Sequence, residues 1–62
     1  MEKLKELRQT EGLTLKEMAK KCGMSESLYQ KLEYGIKKPS TNAIRKIKSV
    51  YPNIDANIFF TN

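Results

Sequence analysis

Apolar residues along this chain recur at helical spacing, and glycines punctuate the recurrences. Leu4 and Leu7 stand three apart, with Met1 three before, in an otherwise charged stretch. Glu2 to Thr10 therefore predicts a short amphipathic helix with one narrow apolar stripe. Gly12 suits the left-handed conformation that ends such a helix. Thr14-Leu15-Lys16-Glu17 then fits a capping box, in which hydroxyl and carboxylate reciprocally satisfy the backbone N–H groups of a helix start. Leu13 precedes the cap and Met18 lies four residues into the helix, the spacing of a hydrophobic staple. Leu15, Met18, Ala19 and Cys22 recur at i, i+3, i+4 and i+7, giving one buried face. Lys20 and Lys21 fall in the last turn, where the helix dipole favours cations, and Gly23 ends it.

A third helix follows after a few residues. Ser25 is a good N-cap, Glu26 suits the positive end of the helix, and Leu28, Tyr29 and Leu32 point inward until Tyr34 and Gly35. Ile36 to Pro39 read as a basic loop. Ser40 caps a fourth helix with Ala43, Ile44, Ile47 and Val50/Tyr51 on one side, limited by Pro52. The last stretch has two readings: Ile54, Ala56 and Ile58 alternate like a strand, while Asp55 is placed to cap a short helix burying Ile58 and Phe59. The helix is favoured. No internal repeat, low-complexity tract or long linker divides the chain, so residues 1–62 read as a single domain.

Composition narrows the function. Of 62 residues, 39% are hydrophobic, enough for one small core. A chain this size buries only about 60% of its unfolded surface, so its stability is marginal. Cys22 is alone, which excludes an intrachain disulfide, and histidine is absent. Neither a zinc site nor a catalytic triad or Cys–His pair can be assembled from what remains. The longest unbroken apolar run is Ile58-Phe59-Phe60, far short of the roughly 20 residues of a membrane span. Met1 to Lys5 lead into charged sequence, unlike a signal peptide. The expectation is a protein that is not an enzyme and carries no cofactor and no metal.

Charge points to a partner. The net charge is +5, and Lys31, Lys37, Lys38, Arg45, Lys46 and Lys48 face only Glu33 between positions 31 and 48. That stretch holds the whole excess. A basic region suits a polyanion, nucleic acid first and acidic membrane second; the plain alternative is a solvated surface. Residues 15 to 34 read as helix, tight turn at Gly23 and second helix, the spacing of a helix-turn-helix. Ala19 is small where the helices must cross, Gly23 frees the turn, and Met18, Met24 and Leu32 supply apolar contacts. About nine residues in the later helix, at 1.5 Å each, make a rod roughly 13 Å long. Such a rod fits a major groove about 12 Å wide.

Gly12-Leu13-Thr14, Glu17-Met18-Ala19, Gly23, Ser25, Lys31-Leu32-Glu33, Gly35 and Pro39-Ser40 together resemble the lambda-repressor/Cro-type helix-turn-helix proteins, also called the xenobiotic-response-element family. The likeness runs from about Leu4 to Phe60, and the Leu-Glu-x-Gly and Pro-Ser elements make it more specific than the motif alone. The resemblance implies an all-α, compact five-helix domain whose third helix, about residues 26–34, reads double-stranded DNA, mostly as a homodimer on paired half-sites. It implies a sequence-specific transcriptional regulator, a repressor first, cytoplasmic and nucleoid-associated, from a bacterium or phage. No small-molecule ligand and no membrane partner are expected.

By position, Glu26, Ser27 and Lys31 match the family's base-reading residues. Lysine donates to guanine O6/N7, a carboxylate accepts from cytosine N4, and serine is permissive. Arg8, Lys37 and Lys38 match phosphate contacts, and Gln30 a more peripheral place. Thr14, Glu17, Ala19, Gly23 and Glu33 match residues that support the site, with Arg8 and Glu33 as an ion pair bracing the reading helix against the first. The chain departs from the family twice. Leu15 stands where many members have Gln, so a side-chain contact is lost there, although a helix N-terminus still offers N–H groups to phosphate. Tyr29 stands where Ile or Val is usual and reads as a core aromatic with a solvated tip. Lys16, Lys46 and Lys48 read as surface charges. Ile54, Ile58, Phe59 and Phe60 exceed what closing a core needs, which suggests a weak dimer surface. Two rival functions remain open: an antitoxin-type autorepressor, and a protein-interaction module of the same fold with little DNA binding.

Overall fold

A computed structural model of the chain describes residues 2–59 and shows four α-helices: α1 (Glu2–Thr10), α2 (Leu15–Lys21), α3 (Glu26–Glu33) and α4 (Thr41–Val50). The expected fifth helix is a single 3-10 turn over Ala56–Phe59, and no strand occurs among the described residues. The alternating apolar pattern there does not extend the chain. Instead the Asp55 side chain accepts a hydrogen bond from the Asn57 N–H at 2.9 Å and starts the turn.

The helix boundaries follow from end chemistry. Three N-termini carry hydroxyl caps: Thr14, Ser25 and Ser40 each accept from the N–H three residues on, all at 3.1 Å. At Thr14 the box is complete, because the Thr14 N–H donates to Glu17 Oε1 at 2.9 Å. Three C-termini repeat one geometry. Leu13 N–H reaches back to the Arg8 carbonyl, Met24 N–H to Ala19 and Ile36 N–H to Lys31, at 3.0–3.1 Å. In each case the glycine before it donates to the carbonyl one residue further on. This is the Schellman closure, and it needs a residue in the left-handed region. Gly23 holds φ +71° with open space where a Cβ would sit, so the constraint is the backbone angle and not crowding.

Leu4, Met18, Ala19, Cys22, Tyr29, Leu32, Ala43, Ile47 and Phe59 form the buried core. Ala19 is nearly inaccessible where α2 packs against α3, which lets the two backbones approach. Leu13 and Leu15 pack on the core from either side of the Thr14 cap. Ile54 and Ile58 also pack against the core and Phe59 enters it, so the described C-terminal residues help to close the domain. Phe60 lies outside the described residues, as does Met1. A second cluster ties the far end: Lys21 Nζ donates to Glu11 Oε1 at 3.0 Å and lies 5.0 Å from the Tyr51 ring centroid. The Tyr51 hydroxyl donates to the same Glu11 oxygen at 3.3 Å.

The capping box makes a stability prediction with a pH signature. Thr14→Ala should lower unfolding stability by about 1 kcal/mol in urea titrations. The Glu17 carboxyl is held below its ordinary value of 4.5, first by the Thr14 backbone N–H and then by its side chain. Its contribution is thus present at neutral pH and lost as the pH falls through the acid range below 4.5. Glu17→Gln should flatten the stability–pH curve there; an unchanged curve would remove the box from the account.

Candidate nucleic-acid interface

The outward side of α3 is set by what its inward side must hold. Tyr29, Leu32 and Glu33 are buried and Leu28 is half-buried, whereas Glu26, Ser27, Lys31 and the capping Tyr34 are exposed. Gln30 is half-buried between them. At ~100° per residue, Glu26, Gln30, Tyr34, Ser27 and Lys31 share an arc of about 140°. The three expected base readers therefore lie on one face. Gln30 and Tyr34 occupy the middle of that arc, a placement visible by winding the sequence on a helix. Glutamine is the residue type that pairs with adenine N6/N7.

One side chain fixes how that face is presented. Arg8 donates from Nε to Glu33 Oε2 at 3.0 Å and from a terminal nitrogen to Glu33 Oε1 at 2.9 Å. Its other terminal nitrogen donates to the Leu13 carbonyl at 2.9 Å. The Glu33 side chain is fully buried and that of Arg8 is 14% exposed. Arg8 had been expected among the phosphate contacts, and the structure turns its fork toward the protein. α1, the turn before α2, and α3 are joined through it.

Beside this pair lies Tyr29, fully buried, its hydroxyl without a hydrogen-bond partner among the described residues. The tip is not solvated, contrary to the sequence reading, because α3 turns the ring wholly into the core. Burial chiefly, and then the Glu33 carboxylate, push its pKa well above the ordinary tyrosine range, so the phenol stays neutral. Glu33 is close enough to act on the phenol without meeting hydrogen-bond geometry. Cys22 is likewise buried, and burial pushes its thiol up, which makes it unreactive.

The turn of the motif has a brace that local pattern did not reveal. Lys46 on α4 donates from Nζ to the Gly23 carbonyl at 3.1 Å, joining α4 to the bend between α2 and α3. It is more than the surface charge its position in sequence suggested. Thr14, Glu17, Ala19 and Gly23 take the places already described: cap, box, crossing point and turn. Lys37 and Lys38 are exposed in the loop after α3, and the Lys37 N–H bonds back to the Lys31 carbonyl at 3.4 Å. From Tyr34 to Ile54 there is no acidic residue.

Two helices joined by a glycine turn, the second with a polar outward arc and a basic loop after it, define a DNA-binding helix-turn-helix domain. The family model described as helix-turn-helix matches residues 4–56, and the chain belongs to that family, of the lambda-repressor/Cro type. Its members are DNA-binding transcription regulators. No curated protein and no solved structure gives a significant match. No helix among the described residues is long and apolar enough to cross a membrane.

Two variants test the support of the site. Arg8→Ala strips a buried carboxylate of its cation and should cost about 3 kcal/mol or more of stability. Arg8→Lys should recover only part, because an ammonium cannot serve both carboxylate oxygens and the Leu13 carbonyl in fork geometry. Full recovery with lysine in denaturant titrations would show that charge alone matters. Tyr29→Phe should leave stability unchanged or raise it slightly, since it removes a buried hydroxyl with no partner. A loss of about 1 kcal/mol, the usual worth of a buried hydrogen bond, would mean the hydroxyl is bonded after all.

Proposed function

We propose that this protein is a sequence-specific transcriptional repressor that lays α3 in the major groove of double-stranded DNA. The observation carrying this reading is the single polar arc on α3, held at a fixed angle by the Arg8–Glu33 fork and followed directly by a basic, acid-free loop. Glu26, Ser27 and Lys31 are the base readers, with Gln30 added by its place on the arc. Lys37 and Lys38 hold phosphate. Arg8 serves first as a positioning residue, with little surface left for phosphate. Phosphate contacts supply most of the affinity and α3 the choice of sequence. Two copies meet on paired half-sites, brought together more by DNA than by the C-terminal residues, which are largely engaged in the core.

Selecting random duplex DNA with the purified protein tests the reading. Enrichment of a paired motif is expected; no enrichment even at low salt would favour the protein-interaction alternative. On the selected site, Lys31→Ala should cost about 1–3 kcal/mol and relax one base-pair position. Lys37→Ala or Lys38→Ala should weaken binding to all sequences alike and reduce the salt slope by roughly one counterion each. Glu26→Gln should lose discrimination at one position even where total affinity rises. If Lys31→Ala and Glu26→Gln both leave the selected sequence unchanged, α3 is not the reader in this alignment.

A further inference from the structure

A single exposed isoleucine is ordinary on a protein surface and carries no argument by itself. Ile36 differs because the chain supplies its own controls. Helices α1, α2 and α3 end in the same closure, and in each the residue after the glycine is apolar: Leu13, Met24 and Ile36. That residue normally folds back onto the helix it terminates, and the apolar contact accompanies the closure. Leu13 and Met24 pack against the core. Ile36 makes the same backbone hydrogen bond and remains 72% exposed. With Tyr34, at 57%, it forms the exposed pair of large apolar side chains among the described residues, on either side of Gly35. The fold does not use Ile36.

Its surroundings specify what would. Ile36 N–H and Lys37 N–H both bond to the Lys31 carbonyl, so the loop is folded against the last turn of the reading helix. Lys37 and Lys38 follow at once, and no acid occurs until Asp55. A second copy of so basic a surface would be repelled, whereas a polyanion is attracted. The polyanion with apolar surface to offer is DNA, whose deoxyribose carbons lie between the phosphates. A β-branched side chain on a hydrogen-bonded loop is stiff, so little freedom is lost when it is covered.

We propose that Ile36 is a DNA-contacting residue that packs against deoxyribose of the strand bordering the groove α3 enters, with Lys37 and Lys38 on the adjoining phosphates. This rests on the DNA-binding reading above and adds an uncharged contact that positions the domain. Because no cation is released when Ile36 binds, its contribution is insensitive to salt.

The test uses the full chain, the duplex the wild type selects from a random pool, and an unrelated duplex of equal length. Ile36→Ser should weaken binding to both duplexes, roughly three- to tenfold for partial burial of one aliphatic side chain. The salt slope, the selected sequence, the thermal midpoint and the sedimentation of the free protein should stay as in the wild type, and Ile36→Leu should restore most of the affinity. Wild-type affinity in Ile36→Ser would overturn the proposal while leaving the DNA reading intact. So would a loss that tracks a change in oligomeric state, which would assign Ile36 to a contact between copies. A wild-type protein that binds neither duplex would overturn the DNA reading itself, and this proposal with it.

Discussion

A carboxylate lies buried at the end of the helix that must face outward, and the arrangement of the domain turns on it. Taking Glu33 out of water costs several kcal/mol unless a cation and hydrogen bonds replace the solvent. Arg8 replaces it with two hydrogen bonds, and its third goes to the Leu13 carbonyl. The geometry is bidentate, so Glu33 is held in direction as well as distance. Rotating α3 about its axis would break the fork, and rotation is the motion that would swing the face shared by Glu26, Ser27 and Lys31 away from its present direction. An apolar pair of the same volume would stabilise the fold as well, but it would tolerate such rotation. The ion pair specifies an angle.

The rest of the domain is short helices that could not persist alone. Segments of seven to ten residues lie below the length at which isolated helices are stable in water. Here each of α2, α3 and α4 begins on a hydroxyl cap, and each of α1, α2 and α3 ends on a glycine closure. Backbone groups at the ends are therefore satisfied locally, and the buried core has only to hold the pieces together. Lys46 on the Gly23 carbonyl and Lys21 between Glu11 and Tyr51 add ties at the turn between α2 and α3 and at the turn between α1 and α2.

This division explains what was legible in the sequence. Caps, boxes and glycine stops are relations among residues three to six apart, so the bounds of all four helices could be read from the pattern. The arc on α3 was legible for the same reason. Arg8 and Glu33 are 25 residues apart, and no spacing rule connects them; the family resemblance did. Lys46 and Gly23, 23 apart, had neither, and Lys46 read as a surface charge. Tyr29 was misjudged at its tip because a pattern gives the inward direction of a side chain and not the depth of the core beneath it. At the C-terminus, alternation over five residues fits strand and turn alike, and only the Asp55 hydrogen bond to Asn57 distinguishes them.

The distribution of charge over the proposed interface carries the last step. Were affinity the only demand, an arc facing DNA would be uniformly basic, and it would hold every sequence equally. Here the arc carries one cation, Lys31 at its edge, and Lys37 and Lys38 lie in the loop beyond it, while Glu26 stands at the N-terminal turn of α3, exposed. The positive end of the helix dipole lowers the cost of a carboxylate there, but not its repulsion from phosphate and from the acceptor atoms of guanine and thymine. Only a donor on a base edge, the N4 amino group of cytosine or N6 of adenine, relieves it. On the proposed reading, Glu26 therefore acts mainly by penalising wrong sequences, Lys31 favours its own base, and Lys37 and Lys38 restore the affinity this costs without choosing among bases. Discrimination by repulsion requires that the helix carrying the carboxylate be unable to turn away from the groove. The rigid setting of α3 by Arg8 and Glu33 provides that, which links a buried ion pair in the core to the choice of sequence at the surface.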